Sequence, residues 1–149
     1  MISNFELEEA AKIMGIKNFK CMSKDELPNP LPYGKYIINM QNSVSPSGRQ
    51  LPGTHWFSCE VTSLGTWVVD AFGAPPPEEI LDRAKYPIHY NTRQIEDLNS
   101  DLCGFYSLYV LFQHQQGRAY ESIVNDFYTY PKTKLNRYIL DEYFQIRSK

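Results

Sequence analysis

No run of apolar residues in this chain approaches the roughly 20 needed to cross a bilayer, so no membrane association is expected. The opening residues, Met1-Ile2-Ser3-Asn4-Phe5-Glu6, lack a basic stretch followed by an apolar one. A secreted product is therefore not expected either. Cysteines are few and odd in number, Cys21, Cys59 and Cys103, with no Cys-x-x-Cys pair among them. That argues against a disulfide scaffold and against a structural zinc site, and no metal or other cofactor is expected. A reducing intracellular setting fits such thiols. Strong charge of either sign is missing as well, since the formal net charge is −2, which gives no general attraction to nucleic acid or to anionic membrane. Internal repeats and low-complexity tracts are missing too.

What remains is the composition of a folded domain. Hydrophobic residues make up 42% and charged residues 21%, and eleven tyrosines raise the aromatic share to 14%. A chain of 149 residues fits a single domain, residues 1–149, around one core. Leu7, Ala10, Ala11 and Met14 recur at helical spacing, with Ser3 or Asn4 to cap the start and Gly15 to end it, which predicts a helix over 4–14. Asp25-Glu26-Leu27 suggests a short turn before the prolines at 28, 30 and 32 force an extended stretch. Residues 35–40 read as a strand and 44–53 as a surface loop. Two β-rich runs, 55–62 and 66–72, flank Ser63-Leu64-Gly65 and predict a hairpin. Pro77 suits the first position of a helix through 84, and 87–92 reads as one more short strand. From Cys103 the pattern turns helical, over 103–116, 120–128 and 133–146. Strands in the middle and helices at both ends predict an α+β fold: a central, mostly antiparallel sheet flanked by helices.

Acyl transfer by a thiol needs a thiolate, a base and donors for the developing oxyanion. Cys103 opens a strongly apolar helix, where unpaired N–H groups and the positive end of the dipole favour an anion. Gly104 leaves room for a substrate backbone near the sulfur. Of the three histidines, His114 stands eleven residues further along the same helix, about 16 Å away at ~1.5 Å per residue, and cannot reach. His89 remains possible. His55 opens the hairpin beside Trp56, which packs in the core and covers the imidazole. An even-numbered hairpin loop, such as Ser63-Leu64, places His55 opposite Phe72 and Asp70 opposite Phe57. His55 and Asp70 then share a sheet face one diagonal step apart. Asp70 would there orient the imidazole and stabilise its charged form. An odd loop without a bulge would separate them.

These residues carry a resemblance. Gly53-Thr54-His55-Trp56, then Val69-Asp70-Ala71-Phe72-Gly73, then Gln94, then Ser100-x-x-Cys103-Gly104-Phe105 follow the order of the adenovirus protease family. Its relatives include proteases of virophages and Polinton-type elements and the SUMO-deconjugating enzymes. The likeness spans about residues 5–113. It implies a papain-like, adenain-like core with His55 as base, Asp70 as acidic partner and Cys103 as nucleophile. It also implies Gln94 as side-chain donor to the oxyanion hole, with the Cys103 backbone N–H as the second donor. Gln94 stands nine residues before Cys103, a longer interval than is usual in the family, and Asn99 is the alternative amide.

The resemblance further implies an endopeptidase that cuts viral structural (capsid) precursor proteins at small-residue sites, commonly after Gly. The substrate groove is expected to be narrow at Gly53, Trp56 and Gly104. The implied setting is the virion and the host cytoplasm, with a monomeric enzyme. The adenoviral enzyme is stimulated by DNA and a short peptide. Residues 118–149 here carry six Lys or Arg against four Asp or Glu, so a nucleic-acid cofactor is not expected. Two other readings stand beside this one: a protease for a ubiquitin-like modifier, and a catalytically inactive binding module of the same fold. Taken singly, each residue has a plainer role: Cys103 as a small buried hydrophobe, His55 as a satisfied strand histidine, Asp70 as a turn acid and Gln94 as a surface amide.

Overall fold

A computed structural model describes residues 2–51, 53–95 and 102–128. Its elements follow in the order α1 (Asn4–Met14), β1 (Phe19–Ser23), a 3-10 turn (Lys24–Glu26), β2 (Gly34–Asn39), β3 (Trp56–Thr62), β4 (Gly65–Val69), α2 (Glu78–Arg83), β5 (Ile88–Tyr90), α3 (Cys103–Gln115) and α4 (Tyr120–Tyr128). The helix expected over 133–146 lies outside the described residues. Ser3 caps α1: its hydroxyl accepts from the Glu6 N–H while the Glu6 carboxylate accepts from the Ser3 N–H. Gly15 closes the helix in the left-handed conformation, φ +74°.

The α+β class holds, but the sheet is mixed. Its five strands lie in chain order, β1-β2-β3-β4-β5. The two inner ladders, β2 with β3 and β3 with β4, are antiparallel, whereas the outer two, β1 with β2 and β4 with β5, are parallel. The expected antiparallel bias therefore describes only the centre. Strand β1 was not anticipated, because Phe-Lys-Cys-Met-Ser has no clean alternation and its residues are mostly half-buried. Each parallel neighbour is reached through a crossover: the 3-10 turn and proline-rich stretch before β2, and α2 before β5.

Helices cover both faces. Tyr36, Ile38, Phe57, Cys59, Val61 and Val68 pack with Ile80 of α2 on one side. Ile37 and Trp56 pack with Leu7 and Ala11 of α1 and with Cys103, Leu108 and Leu111 of α3 on the other. Leu7, Leu108, Leu111 and Ile123 are fully buried, each stabilising by about 1.5–3 kcal/mol.

A polar network inside this second layer fixes where α3 sits along the sheet. Glu60 of β3 is buried, and its Oε1 lies 2.8 Å from His114 Nδ1 near the end of α3. The same oxygen accepts from the Tyr120 hydroxyl at the start of α4, and the rings of His114 and Tyr120 stack at 4.1 Å. Nearby, the Gln115 amide donates to Gly15 O and accepts from Lys17 N–H. Removing the carboxylate strips two side chains of a shared partner. Glu60→Ala is expected to lose about 1–3 kcal/mol in urea unfolding. Tyr120→Phe, which keeps the ring stack, should lose less.

Candidate functional site

The site begins with the β3–β4 turn. Thr62 pairs with Gly65 and the ladder runs without a bulge to Ser58 paired with Val69, so the loop is the two-residue Ser63-Leu64. The Thr62 hydroxyl holds the turn, accepting from Leu64 N–H and donating to Gly65 O. Continuing that register past the ends of the strands sets His55 against Phe72, and their rings stack at 3.9 Å and 10°. His55 Nε2 lies 2.7 Å from Asp70 Oδ1. The even-loop expectation is what the chain adopts.

Asp70 is 1% exposed and is itself held. Its Oδ1 also accepts from the Phe72 N–H, and its backbone exchanges two hydrogen bonds with the Asn91 side chain. Asn91 was missed by sequence reasoning, because a lone Asn after a short strand gives no signal beyond that of a turn.

Cys103 is the first residue of α3 and is 2% exposed. Its Sγ accepts the Trp56 backbone N–H at 3.3 Å, so the sulfur lies against the residue that follows His55. The N-cap residue, Leu102, makes no side-chain cap hydrogen bond to α3. Burial pulls the His55 imidazole down. The hydrogen bond and charge of Asp70, together with the Cys103 thiol beside the ring, outweigh this and push it up to about 9. The sulfur influences the ring without a well-formed hydrogen bond, since Nδ1 has no such partner. With Nε2 committed to Asp70, Nδ1 is the nitrogen left for the sulfur.

Burial pushes Cys21 up to about 12 and raises Cys59 as well. His89 stacks on Trp67 at 5.1 Å and His114 bonds Glu60, so neither joins this group. Among the described residues no cluster of three or more His, Cys, Asp or Glu could hold a metal ion.

Gln94 is exposed, on a segment whose backbone packs against Gly73. Asn99 lies outside the described residues. Trp56 is buried and donates from its indole to Ile2 O at 3.0 Å. Gly104 does not open onto free space: a Cβ there would meet Ile2 Cγ2 at 2.4 Å and Leu7 Cδ2 at 3.1 Å. Its missing side chain lets α3 approach the N-terminal segment, which corrects the expectation of room for substrate. Gly53, at φ +87°, packs against the Asn39 amide. It lines a cleft of about 350 Å³ together with Asn39, Trp56, Leu51 and Ile2.

The buried side-chain nitrogen and oxygen atoms that lack a hydrogen-bond partner, among the described residues, are Asn39 Nδ2, His55 Nδ1 and Asp70 Oδ2. All belong to this one region. No protein-family model matches the chain, and no curated protein matches it.

The raised imidazole has a consequence for pH. A folded value near 9 against about 6.5 for a free histidine means the stabilisation is fully present below pH ~6.5. It is lost as the pH rises through about 9. In an NMR titration the His55 ring should turn over near 9 in the wild-type protein and at clearly lower pH in Asp70→Asn. An unchanged midpoint in that variant would remove Asp70 as the cause.

Proposed function

We propose that this protein is a cysteine peptidase in which Cys103 is the nucleophile, His55 the acid–base group and Asp70 the residue that orients it. One observation carries the reading. His55 Nε2 is tied to a buried carboxylate at 2.7 Å, while its other nitrogen is unpartnered beside a sulfur held at the start of a helix. That arrangement suits nucleophilic attack by the sulfur with the imidazole as its acid–base partner.

In the proposed reaction Sγ attacks the scissile carbonyl carbon, and the carbonyl π electrons move to oxygen. The Cys103 N–H and a side-chain amide, Gln94 or Asn99, stabilise that oxyanion. As the C–N bond breaks, the imidazolium delivers its proton from Nδ1 to the departing amine, leaving a thioester. Water then gives a proton to Nδ1 and its oxygen to the carbonyl carbon. The C–S bond breaks, releasing the carboxylic acid and restoring sulfur and imidazolium. Asp70 keeps Nε2–H paired throughout.

The resemblance to adenovirus-type proteases suggests the substrate class: viral structural precursors cut at small-residue or Gly sites, in the virion and the host cytoplasm. It also suggests that the mixed sheet and its helices form a core of that protease type.

The test is mass spectrometry of candidate capsid precursors incubated with wild-type and variant protein. Cys103→Ala and His55→Ala should each abolish cleavage while leaving thermal unfolding cooperative. Cleavage by Cys103→Ala would overturn the mechanism. A wild-type protein that binds precursors and never cuts them would make the chain a binding module. Because the leaving amine needs the imidazolium proton, kcat/KM should fall as the pH rises through about 9. The oxyanion amide is separable in the same assay. Of Gln94→Ala and Asn99→Ala, the one that removes the donor should lower kcat by roughly 10²–10³, and the other should leave it near wild type.

A further inference from the structure

Asn39 ends β2, is 1% exposed and stands directly opposite Trp56 in the β2–β3 ladder. The next residue along, Met40, donates its N–H to the His55 carbonyl. Asn39 is thus one strand spacing, about 5 Å, from the backbone that presents both His55 and the N–H on Cys103 Sγ.

Its side chain has one settled orientation. Oδ1 accepts two backbone N–H groups, from Gln41 at 2.9 Å and from Thr54 at 3.1 Å. Turning the amide over would face its NH2 against those two donors, so the assignment of nitrogen and oxygen is fixed by chemistry. The atom left over is therefore a donor, Nδ2, buried and with no acceptor. An unmet buried donor costs about 1–3 kcal/mol. Replacing Asn39 by an apolar residue would avoid that but would strand the Gln41 and Thr54 N–H groups. What the site lacks is an acceptor, and the cleft that Asn39 lines with Gly53, Leu51 and Trp56 is where one would come from. Gly53 matters here because a Cβ at that position would lie 2.8 Å from Nδ2, closing the amide off.

We propose that Asn39 Nδ2 donates a hydrogen bond to a backbone carbonyl of the peptide substrate. The extended chain would lie along Gly53 and Trp56 on the acyl side of the bond cut at Cys103. This rests on the peptidase reading and adds a substrate-binding residue to it. Because the donor meets main chain, it recognises an extended peptide whatever its side chains. Gly53 and the buried Trp56 restrict the bulk allowed beside it.

Asn39→Asp tests this, since the variant keeps Oδ1 for Gln41 and Thr54 while a carboxyl oxygen takes the place of the donor. Two probes are read on the full chain: an acetylated tripeptidyl-glycinal, which captures the sulfur as a reversible hemithioacetal, and iodoacetamide, which uses no cleft. The variant should bind the aldehyde roughly ten- to hundred-fold more weakly, with the alkylation rate of Cys103 unchanged within about two-fold. On the wild-type protein, exchanging each peptide carbonyl in turn for a thioamide should weaken binding at one position. At that position the exchange should cost Asn39→Asp nothing further. Equal aldehyde affinity in variant and wild type, as an ordered water on Nδ2 would give, overturns the proposal. So does an equal loss with both probes, which would mark Asn39 as structural. If the wild-type protein itself ignores the aldehyde and Cys103 reacts no faster than in His55→Ala, the peptidase reading fails instead. Should Asn39→Asp not fold, the thioamide series on the wild-type protein decides alone: indifference at every position overturns the contact.

Discussion

The site depends on the register of one hairpin. His55 lies just before β3 and Asp70 just after β4, so nothing local brings them together. They meet because Ser63 and Leu64 alone separate Thr62 from its partner Gly65. One residue more in that loop, without a bulge, would turn His55 and Asp70 to opposite faces. The register is protected by burial on both sides of the sheet. Phe57, Cys59 and Val61 face the α2 layer while Trp56 and Glu60 face α3. A slip would exchange those two sets, bringing a carboxylate into the apolar layer, at a cost of several kcal/mol.

The second constraint is axial. Helix α3 must stop at the right height for its first residue to meet the backbone of Trp56. Apolar packing is non-directional and by itself fixes such a height only loosely. Directional bonds fix it more tightly. Glu60 on His114 and Tyr120, and Gln115 on Gly15 and Lys17, pin the far end of the helix, about 16 Å from Cys103 at ~1.5 Å per residue. Gly104 contributes at the near end, where contact with Ile2 and Leu7 leaves no room for a Cβ. Cys103, His55 and Asp70 therefore inherit their geometry from one turn and one helix whose ends are both fixed.

Much of this was legible in the sequence, for physical reasons that can be named. Two β-rich runs around Ser63-Leu64-Gly65 signal the hairpin, and counting along them leaves two outcomes, of which the even-numbered loop brings His55 to Asp70. The capped start of α1 and the onset of an apolar helix at Cys103 are local signals as well. What escaped was non-local. Strand β1 carries no pattern of its own and forms by pairing with β2, and the parallel outer pairs depend on crossovers that propensity does not encode. Gly104 was read as space for a ligand because a sequence does not say which neighbour fills the gap beside a glycine. Asn91 and Asn39 were passed over for a related reason: an asparagine's role is set by what lies across from it, and both find their partners on other strands or loops.

The unmet polar atoms connect these points. Buried donors and acceptors are almost always paired, because each orphan costs about 1–3 kcal/mol. Here the orphans are an amide nitrogen, an imidazole nitrogen and a carboxylate oxygen, on Asn39, His55 and Asp70. Their residues lie at one end of the three central strands: Asn39 ends β2, His55 precedes β3 and Asp70 follows β4. Each of the three residues also makes the hydrogen bonds that hold it in place, through its other polar atom. Random packing defects would scatter and would leave whole side chains unsatisfied. Half-satisfied groups gathered at one end of the central strands, each held through its other polar atom, make this the part of the described core where hydrogen bonding is least complete.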